Sequence, residues 1–326
     1  MNAAAGRDAG APEATRRDIQ AFWGEVYRTA YGRDPMLTPA GLDAALVELE
    51  DMFRFQGHGA VVEIPIAALD GRRVLEIGSG SGGHSALFAK HGARMTSIDI
   101  TWERAAATAR KFELLGDRGR ACLAAQADAE NLPFTDGAFD IVYSNGVLHH
   151  TRDTERAVAE ALRVLRPGGL AVVMLYCKSS FHYWFTLFFC VGILKGRMFQ
   201  GGAWLGRATE WIGSSRQTVE NPITRCYTAR GVRRLFAACE DVRLRKMGFF
   251  FYAIPKIGRL YRRFQIRRYG LHPGGMLVYG EPWPRTSALE RRLGRYIGFA
   301  WFIAARKPAD MSGGAKWHRE KWKARS

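Results

Sequence analysis

Three clusters in this chain have residue types and spacing suited to chemistry, and each falls where a strand should end. The first is Val74-Leu75-Glu76-Ile77-Gly78-Ser79-Gly80-Ser81-Gly82-Gly83, an apolar run closing on glycines. Glycine lets the chain turn tightly and lets the backbone approach a ligand closely. Asp99 follows at the end of the next apolar run and suits an acceptor for two ribose hydroxyls. The second cluster is Ala127-Asp128-Ala129. Asp128 can accept from an adenine amino group and Ala129 can offer a backbone N–H, although Asp128 would serve equally as a turn cap. The third is Ser144-Asn145-Gly146-Val147-Leu148-His149-His150, in which Asn145 and Gly146 would present backbone groups to a ligand. His149 and His150 fall on the rim beyond, where one of them could act as general base, because imidazole titrates near neutrality. They suit a purely structural loop as well, with Asp153 capping the helix that follows.

The glycine loop alone is ambiguous. Gly78, Gly80 and Gly83 also satisfy G-x-G-x-x-G, with Asp99 where a dinucleotide-binding acid would stand. Glu76 separates the two readings. A carboxylate at the end of an apolar strand is costly without a partner. A pyrophosphate would repel it, whereas a ligand ammonium would offset the cost. A local ion pair with Arg72 or Arg73 is the structural alternative.

These clusters need a scaffold that brings strand ends together. Arg73–Ile77, Arg94–Ile98, Leu123–Ala127, Phe139–Ser144 and Ala171–Tyr176 read as short buried strands. Gly83–Lys90, Thr101–Phe112 and Thr154–Leu165 read as helices between them, and Arg166-Pro167-Gly168-Gly169 as a turn. Such alternation predicts an α/β fold, a doubly wound Rossmann-like parallel sheet, whose ligands bind beyond the carboxyl ends of the strands. A helix over Thr228–Cys239 and strands near Val242–Met247 and Trp301–Ala305 complete seven strands. Upstream, helices are expected over Arg17–Tyr31 and from Thr38, where Thr38-Pro39 supplies a cap and a first-turn proline.

Together, four ordered blocks resemble the class I methyltransferases that use S-adenosylmethionine (SAM), in particular the subgroup related to ubiquinone and menaquinone methyltransferases. The blocks are Leu75–Gly82, Asp99-Ile100, Asp128-Ala129-Glu130-Asn131-Leu132-Pro133-Phe134, and Leu165-Arg166-Pro167-Gly168-Gly169. The resemblance covers about a third of the chain and is far more specific than any one loop. It implies a strand order 3-2-1-4-5-7-6 with the last strand antiparallel. It also implies a SAM site of Glu76, Gly78, Gly80, Asp99, Ile100, Asp128, Ala129 and Asn145, with Gly82 in the same loop. Methyl transfer needs alignment more than protein chemistry, and no Cys/His/Asp cluster has metal-ligand spacing, so no metal is expected.

The remainder bears on the acceptor and its setting. The chain has 326 residues and 47% apolar composition, enough for a full core. Five scattered cysteines, with no Cys-x-x-Cys pair, fit a reducing compartment. The amino terminus lacks an apolar signal region and no run is long enough to span a bilayer, so a cytoplasmic protein is expected, at most peripheral on the inner membrane face. The organisation reads as a disordered tail over 1–15 and a helical N-terminal cap over 16–70. A SAM-binding core follows over 71–177, an apolar lid-like insertion over 178–226, and a core helix and strand over 227–248. A basic-aromatic insertion occupies 249–299, the last core strand 300–308, and a charged tail 309–326, fraying from Lys307 and oddly holding Trp317 and Trp322. The run Phe181–Leu194 reads first as a buried lid helix, with a pocket wall or a membrane-dipping surface as alternatives. Ile257, Leu260, Tyr261 and Phe264 make an apolar stripe on a second helix whose Lys256, Arg259, Arg262, Arg263 and Arg267 fall mostly elsewhere. With a net charge of +17, that pattern suits a helix lying in an anionic interface, or an ordinary helix with a solvated basic face. Nucleic acid is less favoured, because the aromatics cluster in greasy runs instead of alternating with basic residues. The expected activity is methylation of a small-molecule or lipid-like acceptor at oxygen. N-methylation of a phospholipid headgroup or nucleic acid, and a non-catalytic partner subunit, are the alternatives.

Overall fold

The computed structural model describes residues 14–30, 34–200, 204–214, 217–272, 283–284 and 286–309. The expected N-terminal tail, but for residues 14 and 15, and the charged C-terminal tail from residue 310, with Trp317 and Trp322, lie outside the described residues.

Two helices come first, α1 (Arg16–Ala30) and α2 (Pro39–Gln56). Thr38 caps α2 by accepting from Gly41 N, Pro39 starts it, and Gly57 ends it in the left-handed conformation at φ 68°. The alternation then runs β1 (Arg73–Ile77), α3 (Gly83–Lys90), β2 (Arg94–Asp99), α4 (Trp102–Leu114), β3 (Leu123–Gln126) and β4 (Phe139–Asn145). It continues through α5 (Thr154–Val164), β5 (Leu165–Cys177), the π-type helix α6 (His182–Leu194), α7 (Ala229–Leu235) and β6 (Glu240–Met247). The last elements are α8 (Gly258–Tyr269), α9 (Ala288–Ile297) and β7 (Ala300–Arg306).

The strands form one sheet in the order β3-β2-β1-β4-β5-β7-β6. β7 is antiparallel to both neighbours, while the other neighbouring pairs are parallel. An eighth, two-residue strand, Cys226–Tyr227, pairs with β5 at Tyr176 and Cys177, just beyond the end of β4. The sheet has a core on each face, as a parallel sheet requires. Leu42, Leu46 and Leu49 of α2 pack with Val74, Tyr143 and Val172 on one side. Ala157, Val158, Ala161 and Leu162 of α5 pack with Leu75, Val142 and Val173 on the other. α2 is therefore part of one layer against the sheet.

The structure corrects several expected features. β5 runs through Arg166-Pro167-Gly168-Gly169, and the expected turn survives as a bulge: pairing jumps from Phe139↔Leu165 to Ile141↔Leu170, with Gly168 at φ 70°. Lys307 does not fray; its ammonium donates to the carbonyls of Leu162, Arg163 and Leu165 at the end of α5. The apolar run on α6 buries Tyr183 and Leu187 but leaves Trp184, Phe185, Phe189, Ile193 and Leu194 exposed, so it is not a buried lid. Within the second insertion, α9 packs on the end of β6, where Gly294 comes against the Met247–Phe249 backbone. No helix among the described residues is long and apolar enough to cross a membrane.

Candidate active site

The carboxyl ends of β1, β2 and β4 meet around the glycine loop. Gly78, Gly80 and Gly82 have φ of 79°, 57° and 82°, a region that side chains avoid. A Cβ on Gly78 would lie 2.2 Å from Val147, so the loop is pressed against the segment that follows β4. Asp99 fixes the loop from β2: Oδ2 accepts from Gly80 N at 3.1 Å, and Oδ1 accepts from the Thr101 N–H and hydroxyl at 3.0 Å. A carboxylate has about four acceptor sites, so Oδ2 keeps capacity for a ligand hydroxyl.

Glu76 is buried at the strand end. Among the described residues it has no arginine partner; the Ser85 hydroxyl donates to Oε2, and His84 Nδ1 stands 3.8 Å from Oε1. Burial pushes the carboxyl up to about 8, with the Asp99 charge adding and the Ser85 bonds opposing. Burial also holds His84 down to about 4, so the two are not an ion pair near neutrality. Asn145 approaches His58, yet its buried Oδ1 lacks a hydrogen-bond partner among the described residues. Asp128 Oδ1 accepts from Glu130 N at 2.9 Å, the turn-capping role, while its other oxygen lies 3.3 Å from Arg16 Nε.

Glu76, Gly78, Gly80, Asp99, Ile100, Asp128, Ala129 and Asn145 all line one cavity of ≈ 390 Å³. Gly82 does not. It starts α3, and a Cβ there would sit 2.6 Å from Thr108, so it serves helix packing and not a ligand. The cavity continues past this cluster between Ile19 and Trp23 of α1, Met52 and Phe53 of α2, and Met247, Phe250 and Phe302 near β6 and β7.

The same cavity is lined by His150, Tyr176 and Glu210. Glu210 is buried; burial alone would raise its carboxyl, but His150, Tyr176 and Asn221 together hold it below the usual range. Tyr176 donates its hydroxyl to Oε1 at 2.6 Å, and the Asn221 amide donates to Oε2. His150 Nε2 comes within 3.2 Å of Oε1, outside good hydrogen-bond geometry, and its Nδ1 lies 3.0 Å from the Ile223 carbonyl. The same Nδ1 lies 3.1 Å from the Asn221 amide nitrogen and 3.2 Å from the Thr224 hydroxyl. Nδ1 of His150 is thus surrounded by protein groups before any acceptor arrives, while Nε2 makes no hydrogen bond among the described residues. His149 departs further from the expected rim position. It does not line the cavity; its ring lies 4.0 Å from that of Tyr176, and neither nitrogen has a partner among the described residues. Burial, with His150 adding, keeps it well below the ordinary histidine value.

Residues 75–173 match the family described as a methyltransferase domain. Among curated relatives, the 2-methyl-6-phytyl-1,4-hydroquinone methyltransferase of Synechocystis is 31% identical over 156 residues, covering 48% of this chain and 46% of the relative. The demethylmenaquinone methyltransferase of Thermobifida fusca is 34% identical, covering 35% of this chain and 48% of its own. The sterol 4-C-methyltransferase of Caenorhabditis elegans is 34% identical, covering 32% and 31%.

Residues 75–173 are a class I SAM-dependent methyltransferase domain. The matched part spans less than half the length of each of these three relatives. The residues present in this methyltransferase domain fit SAM. Glu76 and the Asn145 Oδ1 are acceptors suited to the methionine ammonium, Asp99 suits the ribose, and Asp128 suits the adenine. When bound, SAM supplies the electrophilic methyl group. The local motifs led to this half of the site because its residues are close in sequence. Glu210, Tyr176, Trp23 and the α2 residues were missed. They reach the cavity from elements far apart in the chain, and none belongs to a motif.

Proposed function

We propose that this protein transfers the methyl group of SAM to a hydroxyl of a small, apolar or lipid-like acceptor, at the cytoplasmic side of the cell. The observation that carries this reading is the single cavity shared by the cofactor residues, an apolar wall and the ionised Glu210. Apolar sites with a few converging polar groups bind largely apolar small molecules. A hydroxyl becomes a good nucleophile only as its proton leaves, and an amine that is already neutral needs no such help. Glu210 Oε2, which accepts one bond from Asn221, has a lone pair left to receive that proton. Tyr176 and His150 steady the charge on Oε1. His150 therefore acts through Glu210 and is a positioning residue, and His149 supports Tyr176 from behind. The relatives named for a phytyl hydroquinone, a menaquinone and a sterol support a lipid-like acceptor.

Incubation with methyl-labelled SAM and lipid extracts, followed by assignment of the labelled product by NMR, tests the proposal. A methyl ether on an apolar product is expected; label on nitrogen, or only in RNA, would overturn it. Glu210→Gln should lower kcat by roughly a hundredfold or more, the range typical of a lost general base. SAM affinity should stay within about twofold, since Glu210 is not one of the residues assigned to the cofactor. Unchanged turnover on the true acceptor would remove Glu210 from the chemistry.

A further inference from the structure

Three of the four residues of the apolar stripe on α8 are exposed, and only Tyr261 turns inward. Gly258, Tyr261 and Gln265 turn inward: Gly258 closes on the Tyr252 carbonyl, and the Tyr261 hydroxyl donates to Glu290 at 2.9 Å. Gln265 is 1% exposed. Ile257, Leu260 and Phe264 each precede one of these by a single residue, which is 100° round the helix. They are 55%, 66% and 57% exposed. Arg259 and Arg263 precede Leu260 and Phe264 by one more residue, a further 100° round. The helix thus sits on the protein through a polar seam and turns an apolar stripe, edged with arginine, to the outside. A helix facing only water carries its apolar stripe inward.

The start of α6 lies close to α8. A run of ring contacts joins the two helices: Phe181–Phe249 at 5.6 Å, Phe249–Phe251 at 5.1 Å and Phe251–Tyr261 at 5.2 Å. Trp184, Phe189 and Leu194 stand out from α6 at 50%, 45% and 67% exposure. Between the helices, Phe249 belongs to this aromatic run while its neighbour Phe250 lines the cavity. Phe249 itself is buried beneath the exposed side chains.

We propose that α6 and α8 together form a docking face for an anionic lipid bilayer, lying in its surface. This goes beyond the methyl-transfer reading and does not depend on which acceptor is used. Charge complementarity selects the occupant. Lys256, Arg259, Arg262, Arg263, Arg267 and Arg268 crowd one stretch that holds no acidic residue between 256 and 269. An RNA or an acidic protein would use those cations but leave Trp184, Leu194, Leu260 and Phe264 in water. A bilayer takes both, with apolar side chains among the acyl chains and guanidinium groups on headgroup phosphates. With no described helix able to cross, the contact is in-plane.

Flotation of the full-length protein with vesicles tests this, using phosphatidylcholine alone and phosphatidylcholine with 30% phosphatidylglycerol (roughly that fraction), at low and high salt. Binding to the anionic vesicles only, weakened by salt, is expected. Each basic side chain near such a surface contributes about 1 kcal/mol, and about 1.4 kcal/mol is tenfold. Changing Arg259, Arg263 and Arg267 together to Glu should therefore lower vesicle partitioning by at least about a hundredfold. The same charge change placed on Arg94, Arg110 and Arg120, exposed on β2, α4 and the following turn, should cost far less. Leu260→Ser with Phe264→Ser should also release the protein, with no change in charge. SAM binding by calorimetry should be unaltered in all three variants, which separates a failure of docking from a failure of the cofactor assignment. The proposal is overturned if the wild-type protein ignores anionic vesicles. It is equally overturned if the distant arginines matter as much as those of α8, if the apolar pair is silent, or if a single-stranded RNA displaces the protein from the vesicles.

Discussion

Glu76 shows how one side chain can couple the cofactor to protons. In the free cavity its carboxyl is raised to about 8 by burial, so it is mostly neutral at pH 7. A cationic ammonium beside it favours the charged form. Binding of SAM below pH 8 should therefore release a proton, and affinity should climb with pH until about 8 and then level off. Calorimetry at pH 7 in buffers of different ionisation enthalpy should reveal release of close to one proton, absent in Glu76→Gln. An equal proton balance in both proteins would place the ammonium elsewhere. The Gln variant should bind SAM more weakly by roughly 1–3 kcal/mol, the worth of a charge-assisted hydrogen bond. The same shift bears on folding. Glu76 is raised above its ordinary value of 4.5, so its contribution to stability is complete below that value and is lost as pH rises through about 8.

At the scale of elements, the site depends on how closely the β1–α3 loop meets the segment after β4. Gly78 carries both constraints, a φ of 79° and a Cβ position 2.2 Å from Val147. Gly78→Ala should therefore weaken SAM binding at least tenfold and lower the thermal midpoint. The clash involves the Val147 side chain, which can be removed, whereas the backbone strain cannot. Val147→Ala in the same protein should restore part of the affinity but not all of it. Full recovery would mean that sterics alone require the glycine, and no recovery would mean that the backbone conformation alone does.

For the molecule as a whole, the question is what holds the N-terminal helices to the sheet domain, since α1 and α2 supply one wall of the cavity. One tie is fully buried. The Lys111 ammonium on α4 meets the Asp34 carboxylate just before α2, with side chains 0% and 1% exposed. Burial lowers the Lys111 value, and the Asp34 charge opposes that change. Breaking one partner of such a pair leaves a buried charge uncompensated and costs about 3–5 kcal/mol, whereas replacing both can be neutral. Lys111→Met should accordingly lower unfolding free energy by that amount in denaturant titrations, and adding Asp34→Leu should recover most of it. Additive losses in the double variant would show that the two residues act independently.

Much of this was legible in the sequence, and the reason is locality. Strand and helix periodicity, the Thr38-Pro39 start of α2 and the glycine loop with its acids are each written within a few residues. A doubly wound sheet brings successive strand ends together, so local motifs suffice to place Glu76, Asp99, Asp128 and Asn145 in one cavity. The tertiary structure decided the rest. His149 and His150 look alike in sequence, yet only one reaches the cavity, because a three-residue turn buries one ring behind Tyr176 and sends the other toward Glu210. Gly82 looks like its loop partners but faces a helix. Glu210 stands alone in its stretch of chain, and only the folding of the first insertion over the strand ends gives it a role. The stripes on α6 and α8 were visible as patterns, but a stripe does not say which way it faces. That depends on which residues find partners in the fold, and on α8 the polar ones did.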